Sequence, residues 1–204
     1  MIDRILARLK NTRPPVNLAK EALALFPPAI ASQLFPGPLI PAAVLVGLIA
    51  RDTGWEVLLT RRTEHLKDHP GQISFPGGRL DGPHESALAA ALRETLEEVG
   101  IEAQFIEVVG FLRPHAVVTG YAVSPVVAIL RPGFSLVADA AEVAEVFSVP
   151  LRHLDDPANV THSDRVVRGV TVPVRAYQYG SHHIWGATAQ ILSALLDNDN
   201  EHQE

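Results

Sequence analysis

The chain opens with two stretches whose apolar residues recur at helical spacing: Ile2, Ile5, Leu6 and Leu9 within Ile2 to Lys10, then the segment Leu18 to Phe26. A breaker-rich link containing Pro27, Pro28, Pro36, Gly37 and Pro38 follows. From there the pattern becomes strand-like. Ala42 to Ala50 and Trp55 to Arg61 flank the polar turn Arg51-Asp52-Thr53-Gly54 and predict a hairpin. Gln72 to Phe75 reads as a short strand leading into the turn Pro76-Gly77-Gly78. The spacing then predicts a helix from about Glu85 to Val99, with Leu88, Leu92, Leu96 and Val99 on its buried side and Gly100 as its terminator. Strand patterns resume at Phe105 to Leu112, Tyr121 to Leu130, Val146 to Val149, Thr171 to Tyr177 and His183 to Trp185. A last helix, Ala187 to Leu196, ends in a polar tail.

Strands on both sides of a central helix, closed by a terminal helix, predict an α/β fold with a mixed sheet between helical layers. The economical division is an N-terminal helical extension and linker over 1–37, one domain over 38–196 and a polar tail over 197–204. At 204 residues the chain suits one domain with a substantial core. The apolar run from Pro38 to Ala50 is too short to span a bilayer as a helix. Charged residues interrupt the N-terminal apolar pattern, unlike the core of a signal peptide, so a cytoplasmic protein without a membrane partner is expected. The N-terminal helices leave a homodimer open, although covering the domain's own core suffices to explain their apolar faces.

Cysteine is absent, which excludes thiolate catalysis and cysteine metal sites. A net charge of −6 argues against nonspecific nucleic-acid binding. Within this acidic chain, Arg61, Arg62, Lys67 and His69 form a local basic cluster suited to a diphosphate or a ribose phosphate. Their alternative reading is ordinary surface charge paired with Glu64 or Asp68.

The central helix carries the candidate chemistry. At 100° per residue, Glu94 and Glu98 lie ~40° apart around the axis and Glu94 and Glu97 ~60° apart, which places three carboxylates on one stripe. Their repulsion is relieved either by solvent or by a divalent cation, and hard oxygen ligands suit magnesium or manganese. Glu94 and Glu98 are the leading candidate ligands, with Glu97 a further ligand or the base acting on water. Arg93 makes either an exposed pair with Glu97 or a brace to Glu85. In one straight helix Glu85 and Arg93 would be ~12 Å apart along the axis, so the brace requires Glu85 to lie in the preceding loop.

Gly78 through Ile101, including Glu85 and the run Arg93 to Ile101, resembles the signature of the Nudix hydrolases. These are magnesium-dependent enzymes that cleave nucleoside diphosphates linked to another group. The gap from Gly78 to Glu85 is one residue longer than the general pattern, and Thr95 stands where an aliphatic residue is usual. Leu58-Leu59-Thr60-Arg61-Arg62, then Lys67, Gly71 and Phe75 to Gly78, is similar to the motif of the coenzyme A pyrophosphatase branch, with Thr63 in place of serine or alanine and Lys67 in place of arginine.

The resemblance continues through Glu142 to Phe147 and Ile184 to Ala189. It implies a Nudix-type α/β/α sandwich that hydrolyses coenzyme A or its thioesters to 4′-phosphopantetheine, or its acyl form, and adenosine 3′,5′-bisphosphate. Gly77, Gly78 and the basic cluster would bind substrate, and Glu85 and Gly100 would support the site. Glu145 would be an additional base or ligand, or else a surface residue. The alternatives are a pyrophosphatase for another nucleoside diphosphate derivative, such as ADP-ribose, and a noncatalytic ligand sensor on the same fold. His115, His182 and His183 read as surface or core histidines, and Trp185 as a packing residue or a stacking platform.

Overall fold

The structure is a computed structural model that describes residues 1–66 and 68–196. The expected residue Lys67 and the tail 197–204 lie outside the described residues.

Three helices lead the chain: α1 (Ile2–Leu9), α2 (Leu18–Leu23) and α3 (Pro28–Leu34). Sequence reading missed α3, because its Pro27-Pro28 start resembles a linker. Proline at the first helical position loses no helical hydrogen bond and is already set at a helical φ. Strand β1 (Ile40–Arg51) turns into β2 (Gly54–Arg62) through the expected hairpin, where Arg51 pairs with Gly54.

After four residue pairs β1 and β2 part. One edge of β1 is filled by β7 (Tyr121–Leu130), running parallel to it from Ile40 to Leu48. On its other edge β1 pairs β4 (Gly77–Arg79) through Ala42 to Val44, beyond the β2 contact. Likewise β2 pairs β8 (Val143–Pro150) along one edge and β3 (Ile73–Ser74) beyond its β1 contact. The expected Pro76-Gly77-Gly78 turn is therefore partly a strand, wedged into the split between β1 and β2. Antiparallel β5 (Ile106–Phe111) and β6 (His115–Val117) complete this mixed eight-stranded sheet on β7.

Side chains alternate between the two faces of the sheet. Ala43, Leu45, Ile49 and Leu58 pack under α4 (Ala87–Val99), while Ala42, Val46, Leu48, Val57 and Leu59 pack against α1, α5 (Leu151–Leu154) and α6 (Ala187–Leu196). A second, antiparallel sheet of β9 (Val160–Val167), β10 (Val170–Tyr179) and β11 (His182–Trp185) joins the latter layer. The result is the expected α/β/α sandwich. Ile5 and Leu9 of α1 are each 1% exposed in the main core, and α2 and α3 cover a separate cluster around Ala116 and Ala122. No helix among the described residues is long and apolar enough to cross a membrane.

Two helix boundaries shift by more than one residue. The second helix ends at Leu23 rather than Phe26. The central helix starts at Ala87 with Ser86 as its cap, the Ser86 hydroxyl accepting the Ala89 amide at 3.1 Å. Its buried side also differs from the expected leucine stripe: Ala87, Ala90, Ala91, Thr95, Glu98 and Val99 face inward, while Leu96 is 50% exposed. The alanines allow close approach to the sheet, so small residues rather than leucines mark the packed face. Thr95 fits there because its hydroxyl donates to the Ala91 carbonyl at 2.6 Å.

Candidate active site

The rotation of α4 decides how the acidic stripe is presented. Glu98 is 6% exposed at its side chain, Glu94 17% and Glu97 59%, so the stripe runs from the interior to the surface. Glu98 reaches the split between β1 and β2, where it accepts the Gly77 amide at 3.2 Å and lies 3.8 Å from a terminal nitrogen of Arg62. Burial, reinforced by the charges of Glu94 and Glu142, outweighs these contacts and lifts its carboxyl from the ordinary 4.5 to about 8. Burial also raises Glu94, against the opposing pull of Arg93.

The glycines between β3 and α4 are there for closeness. A Cβ on Gly77 would stand 2.3 Å from the Ala43 carbonyl oxygen, and one on Gly78 2.3 Å from Glu94 Oε1. Gly78 thus leaves the space into which Glu94 projects. At the other end of α4, Gly100 adopts φ 74° and donates its amide to the Leu96 carbonyl, ending the helix as expected.

Arg93 occupies the centre of the acidic group. Its Nε and one terminal nitrogen donate to the two oxygens of Glu85 at 3.0 and 3.1 Å, and it also donates to the Arg79 carbonyl. The other terminal nitrogen bridges Glu94 at 2.9 Å and Glu97 at 3.1 Å. Glu85 lies in the loop just before the cap of α4, as the brace requires, and accepts the Asp81 amide. These hydrogen bonds, first that from Arg93, hold its carboxyl below the ordinary range. Both readings of Arg93 are therefore realised at once.

A further carboxylate joins this group from the loop before β8. The backbone of 137–142 lies across the C-terminal end of α4: the Asp139 amide donates to the Glu98 carbonyl, and the Thr63 amide donates to the Glu142 carbonyl. Glu142 is thereby placed where its charge raises both Glu94 and Glu98. Helical spacing gives no signal for it, because a loop rather than α4 delivers it. The resemblance points to the region of Glu142 and Glu145 and favours Glu145, which lies instead beside Arg61 and His182.

The expected basic cluster divides in two. Arg62 faces Glu98 and has a buried Nε without a hydrogen-bond partner among the described residues. Arg61 faces the other way, into a cleft of about 580 Å³ lined also by Gln72, Glu145, His182 and Trp185. His69 bonds Gln72 rather than an acidic partner. Glu145 accepts Arg61 Nε at 3.1 Å and lies 3.2 Å from His182 Nε2; these two contacts, His182 first, hold its carboxyl low. Trp185 carries the guanidinium of Arg165 over its ring at 4.4 Å.

Among the described residues, no three acidic or imidazole groups stand together as a finished metal cage. The donor set nevertheless suits a hard divalent ion. Glu94, Glu98 and Glu142 are oxygen donors, and the charge of Glu142 adds to burial in raising the proton affinity of the other two. Two of the three sit where a glycine amide or the space left by a missing Cβ brings them close to the β4 backbone.

Comparison with known proteins gives the same direction. A protein of Photorhabdus laumondii named "Uncharacterized Nudix hydrolase NudL" is 43% identical over 154 residues, covering 76% of this chain and 82% of its own. The protein of the same name from Escherichia coli is 42% identical, with 76% and 80% covered. A MutT/nudix family protein from Enterococcus faecalis shares the fold, with a TM-score of 0.51, 20% identity and coverage of 79% of this chain and 62% of that one. Residues 39–169 match the NUDIX domain family, and the chain belongs to the Nudix hydrolases, enzymes that act on diphosphate bonds.

Proposed function

We propose that this hydrolase cleaves the diphosphate of coenzyme A or its thioesters, giving 4′-phosphopantetheine or its acyl form and adenosine 3′,5′-bisphosphate. The observation that carries the reading is the convergence at the β1–β2 split of the basic motif that ends β2 with the acidic face of α4. Arg62 from the first lies beside Glu98 from the second, under the Gly77 amide. Nudix hydrolases generally use divalent metals, and magnesium or manganese is the ion proposed here, held by Glu94 and Glu98 with Glu97 or Glu142 as a further ligand.

When bound, such an ion neutralises phosphate charge and makes water a better nucleophile. Around it, each residue has a distinct task. Arg62, whose side chain is partly exposed beside Glu98, offers a cation to the diphosphate oxygens. Glu97, the most exposed of the three helix acids, can exchange Arg93 for water and serve as the base. Arg93 holds Glu94, Glu97 and the Glu85 loop in register. Gly77 and Gly78 let substrate and carboxylates share the space beside β4.

A substrate panel with the purified protein and magnesium tests the reading. Coenzyme A and its thioesters are expected to turn over faster than ADP-ribose or dinucleotides. Much faster cleavage of ADP-ribose would reject the substrate while keeping the reaction. No turnover of any diphosphate would favour the noncatalytic sensor.

A further inference from the structure

Strand β11 brings to the Arg61 cleft a histidine that the acidic site does not use. The His182 ring lies parallel to Phe147, with centroids 4.0 Å apart at 10°. Its nitrogens face oxygens that only accept: Nδ1 is 3.2 Å from the Tyr179 carbonyl and Nε2 is 3.2 Å from Glu145 Oε1. A proton on Nε2 makes the second contact a donation to Glu145. The other oxygen of Glu145 accepts Arg61 Nε. Arg61 is thus gripped through Nε, which leaves its two terminal amino groups without a hydrogen-bond partner among the described residues. That pair of donors matches the oxygens of a phosphate.

Geometry makes the arrangement depend on His182, whose Nε2 holds the Glu145 oxygen that Arg61 does not use. The cleft also has a definite relation to the acidic site. Arg61 shares it with Ile73 of the α1–α6 layer, whereas its chain neighbour Arg62 approaches Glu98 of α4. Two consecutive residues of β2 therefore open onto two different places.

We infer that His182 is a positioning residue. Acting through Glu145, it holds the terminal amino groups of Arg61 toward a subsite for a phosphomonoester of the substrate, remote from the bond that is cut. The inference rests on the coenzyme A reading, in which that group is the ribose 3′-phosphate.

Titration calorimetry with the full chain in metal-free buffer tests it, using adenosine 3′,5′-bisphosphate and AMP as probes. Wild type is expected to prefer the bisphosphate about tenfold, the size of one charge-assisted hydrogen-bonded contact. His182→Ala should abolish that preference and leave AMP affinity unchanged. His182→Gln, which keeps a donor for Glu145, should retain part of it. With magnesium, His182→Ala should raise KM for coenzyme A but not for dephospho-coenzyme A, with kcat held. Equal wild-type affinity for the two probes, or equal weakening of both by His182→Ala, would overturn the inference. Wild type that prefers the bisphosphate yet leaves coenzyme A intact upholds the subsite and rejects the substrate. Cleavage of coenzyme A without any preference between the probes does the reverse.

Discussion

Glu98 keeps its carboxyl in a recess beside two other acids, and this has a consequence for stability that can be measured without substrate. Its folded value of about 8 lies above the ordinary 4.5. Below 4.5 both folded and unfolded chains hold the proton and Glu98 exacts no penalty. Between the two values only the folded chain retains it, so stability falls as pH rises, and above 8 the loss is complete. Metal-free protein is therefore expected to lose several degrees of Tm from pH 5 to pH 8 through this group. Glu98→Gln should show a flatter profile, and a wild-type profile equally flat would contradict the burial argument. With magnesium present, the same variant should lower turnover by orders of magnitude while remaining folded. Gly78→Ala, which sets a methyl group 2.3 Å from Glu94 Oε1, should reduce kcat with little change in Tm. Much of this was legible at residue scale, since spacing alone places Glu94, Glu97 and Glu98 on one stripe. Their unequal exposure was not, because it depends on what packs around α4. The resemblance favours Glu145 as the additional acid, when Glu142 is the one whose charge reaches Glu94 and Glu98.

At the scale of elements, sequence pattern located the central helix well and its inner face poorly. Leucines score as core, yet alanines line the contact with β1 because they let the helix close on the sheet, and Leu96 turns outward. Strand β9 escaped notice for a related reason: most of its residues are exposed, so no alternation of apolar positions marks it. Helix geometry gives only the condition for the Glu85 brace, since an eight-residue separation cannot be bridged along a straight helix, while the spacing itself puts Glu85 at the helix start. Glu85→Gln should weaken the bidentate hold on Arg93. Turnover is expected to fall roughly tenfold, the order of one charge-assisted hydrogen bond, with only a small loss of Tm. A loss of folding with activity per folded molecule intact would assign the pair to structure alone.

In the molecule as a whole, the N-terminal segment is continuous with the body of the fold. Ile5 and Leu9 are buried in the main core, and Arg4 and Arg8 donate to carbonyls at the end of α6, among them Leu196 and Ala194. Truncating a fully buried aliphatic side chain typically costs ~2–5 kcal/mol, so Leu9→Ala should lower the urea midpoint markedly without changing KM in the folded enzyme. A negligible shift would mean that α1 is dispensable. The fold brings two parts of the chain, the basic end of β2 and the acidic face of α4, into one split in the sheet. The account of function depends on that meeting. Its most direct test is mass spectrometry of the products formed from coenzyme A and magnesium in oxygen-18 water. The expected products are 4′-phosphopantetheine and adenosine 3′,5′-bisphosphate, with one oxygen-18 atom incorporated into one of them. Intact coenzyme A after prolonged incubation with folded, metal-loaded protein would contradict that expectation.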